Sequence, residues 1–109
     1  MNETYNGKSI EAFGLYLRGE IKAGRMRKDG FYGSEPGVKD ESKNYCLLGH
    51  AGVFFERRPC DIYDEILDSL LRRGVLDHSR MIEYNDNGNF RLAADALTCE
   101  LKEVAGGDQ

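Results

Sequence analysis

In the stretch Asp61-Ile62-Tyr63-Asp64-Glu65-Ile66-Leu67-Asp68-Ser69-Leu70-Leu71-Arg72-Arg73-Gly74, apolar residues recur three and four positions apart. That is the spacing of one face of an α-helix. Ile62, Ile66, Leu67, Leu70 and Leu71 form the expected inner stripe. Asp61, Asp64 and Glu65 fill the first turns and Arg72 and Arg73 the last, so both sets of charges complement the helix dipole. Asp68 and Arg72, four apart, make a favourable pair. Gly74 supplies a left-handed stop, after which Val75 can fold back onto the last turn. A helix over Asp61 to Arg73 is expected.

Upstream, Tyr45 to Arg57 is apolar almost all round, through Cys46, Leu47, Leu48, Ala51, Val53, Phe54 and Phe55. A helix of that kind is the buried centre of its domain. Asn44 or Ser42 is the expected cap, Gly49 and Gly52 leave one side open to close approach, and Pro59 ends this helix or opens the next. A first helix is expected from the Ser9 cap to Ala23, with Ile10, Phe13, Leu17 and Ile21 inward and Gly24 as its stop. Downstream, Asp77 to Glu83 predicts a short helical turn with Met81 and Ile82 facing inward. Tyr84-Asn85-Asp86-Asn87-Gly88 reads as a polar turn, and a last helix runs from Phe90 to Val104, capped by Asn89 and ended by Gly106 and Gly107.

Between the first two helices, residues 24–43 lose all periodicity and are punctuated by Gly24, Gly30, Gly33, Gly37 and Pro36. A connection this long is uncommon inside a small domain and marks a functional or mobile segment, with room for a small hairpin. No stretch alternates as a strand. The expected fold is an all-α bundle of about four helices, one domain over residues 1–109, with a long Gly-rich loop and flexible ends at about 1–8 and 105–109.

Composition narrows the classes. Apolar residues make up 40% and charged residues 31%, an ordinary globular balance, with six Tyr and five Phe as large core pieces in the absence of Trp. The net charge of −4 is uneven: residues 1–44 hold eight Lys/Arg against seven Asp/Glu, whereas residues 45–109 hold seven against twelve. An acidic surface argues against nonspecific nucleic-acid binding, which needs a basic face. Local basic groups remain at Arg25, Arg27 and Lys28, and at Arg57 and Arg58. Three unpaired cysteines, no signal peptide and no apolar run near the ~20 residues that span a bilayer predict a cytoplasmic protein with free thiols.

Cys46-x-x-Gly49 opening a helix, then Tyr84-Asn85-Asp86, then a final amphipathic helix resembles a family of small uncharacterised bacterial and phage proteins. The likeness covers roughly residues 44–104. His50 stands where that pattern has a small residue. The resemblance implies no established activity; it implies a bacterial or phage origin, and with it a host or defence protein as target.

Several chemistries can be weighed on these residues. A thiol hydrolase would use Cys46 as nucleophile at a helix start, with His50, His78, Asn85 and Asp86 supplying base and orienting groups. A zinc site would join Cys46 and His50 to Cys60, His78, Asp86 or Cys99, but no Cys-x-x-Cys or His-x-x-x-His pair is present. Asp86-Asn87-Gly88-Asn89 lacks the spaced oxygens and closing Glu of a calcium loop. The glycines between Gly24 and Gly37 are not followed by the Lys-Ser or Lys-Thr of a phosphate loop.

The expectation is therefore a non-enzymatic binding protein or inhibitor, monomer or homodimer, without metal or cofactor. Its candidate surfaces are the acidic face Asp61, Asp64, Glu65 and Asp68, and the 24–43 loop. In a small-ligand alternative, Phe31, Tyr32, Arg25, Arg27 and the Tyr84-Asn85-Asp86 turn enclose a nucleotide-like molecule.

Overall fold

Asn6 and Gly7 both take positive φ, 50° and 78°, the requirement of a two-residue hairpin turn whose twist matches its flanking strands. They join β1 (Thr4–Tyr5) to β2 (Lys8–Ser9), antiparallel with Thr4 opposite Ser9 and Tyr5 opposite Lys8. The computed structural model of the chain describes residues 3–28, 37–40, 42–75 and 80–107. Within these, the fold is mostly helical, with this small sheet at its start. The hairpin corrects the purely helical expectation. Tyr5 is buried, its ring meets Phe55 edge-on at 5.1 Å, and its hydroxyl donates to Glu65. Asn6 donates to the Phe55 carbonyl.

The hairpin leads directly into α1 (Ile10–Lys22), where Ser9 accepts from the Ala12 N–H as the expected cap. Ile10, Phe13 and Leu17 are buried. At Gly24 φ is +73°, the left-handed stop. Helix α2 (Leu47–Phe55) is the central element, buried from Leu47 to Gly52. Its cap is Cys46, whose sulfur accepts from the Gly49 N–H at 3.4 Å. Asn44 and Ser42 were the expected caps. Tyr45 pairs in a parallel bridge with Met26 and so moves the helix start past them, while Ser42 donates to Asp40 instead.

Pro59 opens α3 (Pro59–Arg72) at its first position. The turn before it packs so tightly on α2 that a Cβ at Gly52 would lie 2.9 Å from the Arg57 carbonyl and 3.0 Å from Pro59. Ile62, Ile66 and Leu70 are buried as expected; Leu71 is not, being 74% exposed on the far side of the stripe. The Val75 N–H returns to the Leu70 carbonyl and closes the helix.

Helix α4 (Arg80–Asp86) takes in Tyr84, Asn85 and Asp86, so the expected polar turn begins only at Asn87-Gly88. Helix α5 (Phe90–Gly107) runs through Gly106 and Gly107 rather than ending before them. It packs on both α1 and α4, with Ala93, Leu97, Leu101 and Val104 inward. The radius of gyration, 12.9 Å, is that of a compact globule of this length. Among the described residues no helix is long and apolar enough to cross a membrane.

Candidate functional site

The start of α2 collects most of the chemistry-bearing residues, and a buried carboxamide organises it. Asn85 is 4% exposed. Its Oδ1 accepts from the Leu47 N–H at 3.0 Å, and its Nδ2 donates to the carbonyls of Arg27 and Lys28 at 3.1 and 2.8 Å. One side chain on α4 thus satisfies an amide at the mouth of α2 and fastens residues 27–28 beside it. Unpaired, those groups would be costly.

His50 lies one turn further along α2 and is fully buried. Its Nε2 is 3.0 Å from the Arg25 carbonyl, which can only accept, so Nε2 carries the proton. Nδ1 then accepts from the Tyr16 hydroxyl at 2.9 Å. Burial lowers the His50 pKa below its ordinary value, against the opposing pull of the Arg25 carbonyl and the Glu20 charge. Glu20, also buried, pairs with Arg25 and Lys39. Burial alone would raise its pKa, but the two cations outweigh it and hold the carboxyl below its usual range. Lys39 also sits 5.4 Å over the Tyr16 ring.

These contacts anchor both flanks of the 24–43 segment. On one side, Arg27 donates to the Tyr45 carbonyl and Tyr45 to that of Arg25. On the other, the Asp40 N–H donates to the Tyr45 hydroxyl and the Gly37 N–H to the Gly52 carbonyl.

The residues singled out from sequence therefore separate into groups. Cys46, Asn85 and Asp86 come together, joined by Leu47, Leu48, Tyr63 and Ile82, along a groove of about 280 Å³ between α2, α3 and α4. His50 belongs to a different cluster: both its ring nitrogens are engaged by Tyr16 and Arg25, and it meets Cys46 through its backbone N–H. Burial pushes the Cys46 thiol pKa up, outweighing the lowering effect of the Gly49 and Leu48 amides. Cys60 and Cys99 are exposed on α3 and α5. Among the described residues no three His, Cys, Asp or Glu side chains are placed to hold a metal ion. Phe31, Tyr32 and His78 lie outside the described residues.

Arg25 is committed to Glu20, and the backbone of Arg27 to Tyr45 and Asn85. Tyr84 is half-buried against the core. On α3, Asp61 pairs with Arg58, Glu65 with Arg57 and Asp68 with Arg72, while Asp64 is exposed. Sequence reasoning passed over Glu20, Tyr16 and Lys39, and also Tyr63 and Ile82. Glu20 carried a signal, since it falls three positions after Leu17, beside the inner stripe of α1. Lys39 carried none.

No family model matches the chain, and comparisons with curated proteins and with solved structures find no match.

Proposed function

We propose that the chain is a non-enzymatic binding protein that accepts an apolar side chain of a protein partner in the groove between α2, α3 and α4. The observation that carries this reading is how the polar groups are used. The Cys46 sulfur caps its helix, both His50 nitrogens are hydrogen-bonded inside the protein, and Asn85 serves three backbone groups. Beside them a groove stays open, its accessible apolar wall formed by half-buried Tyr63 and Ile82 above the buried Leu47 and Leu48. Its volume of about 280 Å³ accommodates a single inserted side chain. Asp86 at the edge is exposed and, among the described residues, has no ion pair, so it can meet a basic group next to that side chain. The acidic face of α3 is less suited, because Asp61, Glu65 and Asp68 are already matched by arginines.

The test is affinity capture from the cells that express the protein, comparing three forms. Wild type and an Asp64→Lys/Asp68→Lys form should retain the same partner, and an Ile82→Asn/Asp86→Lys form of unchanged helicity should lose it. Loss through the α3 substitutions with retention by the groove variant would overturn the proposal.

A further inference from the structure

We propose that a second groove, between the last turns of α1 and the first turns of α5, binds the phosphate group of a small organic anion. It has a volume of about 430 Å³ and is lined by Arg18, Ile21, Lys22 and Arg91. An adjoining groove shares Arg18, Ile21 and Arg91 and adds Asp95 and Thr98; a third sets Arg18 beside Glu3 and Glu11. Among the described residues, none of these three cations has an ion-pair partner. Three cations thus converge in a chain whose net charge is −4.

The arrangement runs against local electrostatics at two points, although Lys22 in the last turn of α1 complements its dipole and Asp95 stands four residues after Arg91. Arg91 occupies the second position of α5, whose first turn contains no acidic residue, so a positive charge sits at the positive end of the dipole. Arg18 and Lys22, four apart on α1, repel each other. Helix α3 obeys both rules, with Asp61 in its first turn and Asp68 paired to Arg72. Departures from local consistency concentrate where function requires them. An anion among the three cations relieves both repulsions. Two guanidinium forks and an ammonium suit phosphate oxygens, and half-buried Ile21 offers an apolar wall to the group that carries the phosphate.

The experiment is a calorimetric and NMR titration of the full chain with tripolyphosphate and with ATP at low salt. Both should bind, shifting amides 18–22 and 91–95, and added salt should weaken both. ATP binding tighter than tripolyphosphate, its inorganic match, would assign the extra affinity to the Ile21 wall; equal affinities would mean that phosphate alone is read. Arg18→Gln and Arg91→Gln should each weaken binding about tenfold, the value of one charged hydrogen bond. Arg91→Gln should also raise the unfolding temperature, since it removes a charge misplaced against the dipole. No binding of either probe at millimolar concentration, or undiminished binding by the Arg18→Gln/Arg91→Gln form, would overturn the proposal.

Discussion

Replacing Asn85 by Ala tests the anchoring of the α2 start most severely. The substitution leaves the Leu47 N–H and the Arg27 and Lys28 carbonyls without the partner that now serves all three. At a net ~1 kcal/mol per hydrogen bond, the loss is about 3 kcal/mol. A domain of this size should then lose about 12 °C in Tm. Urea and thermal unfolding followed by circular dichroism give both numbers, and hydrogen exchange should show residues 25–28 opening first. Asn85→Asp separates hydrogen bonding from shape. One oxygen can still accept from Leu47, but the other faces two carbonyl oxygens and repels them while ionised. That geometry raises the folded pKa of the new carboxyl above its unfolded value of about 3.9. The variant should therefore recover part of its stability below that pH and lose it as pH rises through the folded pKa. An Asn85→Ala protein within about 0.5 kcal/mol of wild type would show that Asn85 does not anchor the α2 start, since that is the range of an inert surface change.

Further outcomes follow from the same contacts. Because the His50 pKa is lowered in the fold from its ordinary 6.5, its contribution to stability is complete above that pH and declines as pH falls below it. The slope should be missing in His50→Gln; Glu20, also lowered, loses its contribution only below its ordinary 4.5. In thiol labelling, exposed Cys60 and Cys99 should react quickly and buried Cys46 only on unfolding; a fast third thiol would contradict its placement. Gly52→Ala should destabilise by about 2 kcal/mol through overpacking against Arg57 and Pro59, measurable as a lower urea midpoint, whereas Gly19→Ala, whose Cβ meets nothing within 4 Å, should not.

What could be read in the sequence was what neighbours along the chain decide. Ser9 precedes a periodic run and caps it; Gly24 and Gly74 stop helices whose apolar spacing ends beside them. The Asn6-Gly7 dipeptide is a hairpin signal that was passed over, because strands of two residues are too short to alternate visibly. The cap of α2 was misplaced because a tertiary contact, the Met26–Tyr45 bridge, moved the helix start. Leu71 has the spacing of an inner residue and is exposed because the stripe through Ile62, Ile66 and Leu70 is narrower than the pattern implied. The candidate site depended on longer reach. Asn85 and Leu47 are 38 positions apart, and no local rule brings them together. His50 and Cys46 are one helical turn apart, yet their side chains serve different clusters. The α1–α5 groove joins Arg18 to Arg91, about two thirds of the chain apart.

The most direct measurement of the central claim is hydrogen–deuterium exchange on the purified protein alone and in complex with the partner it captures. Binding at the groove predicts new protection at residues 63, 82–84 and 86, with the amides of residues 46–52 protected equally in both states because they are buried already. Protection confined to the outer face of α3, with residues 82–86 unchanged, would contradict it.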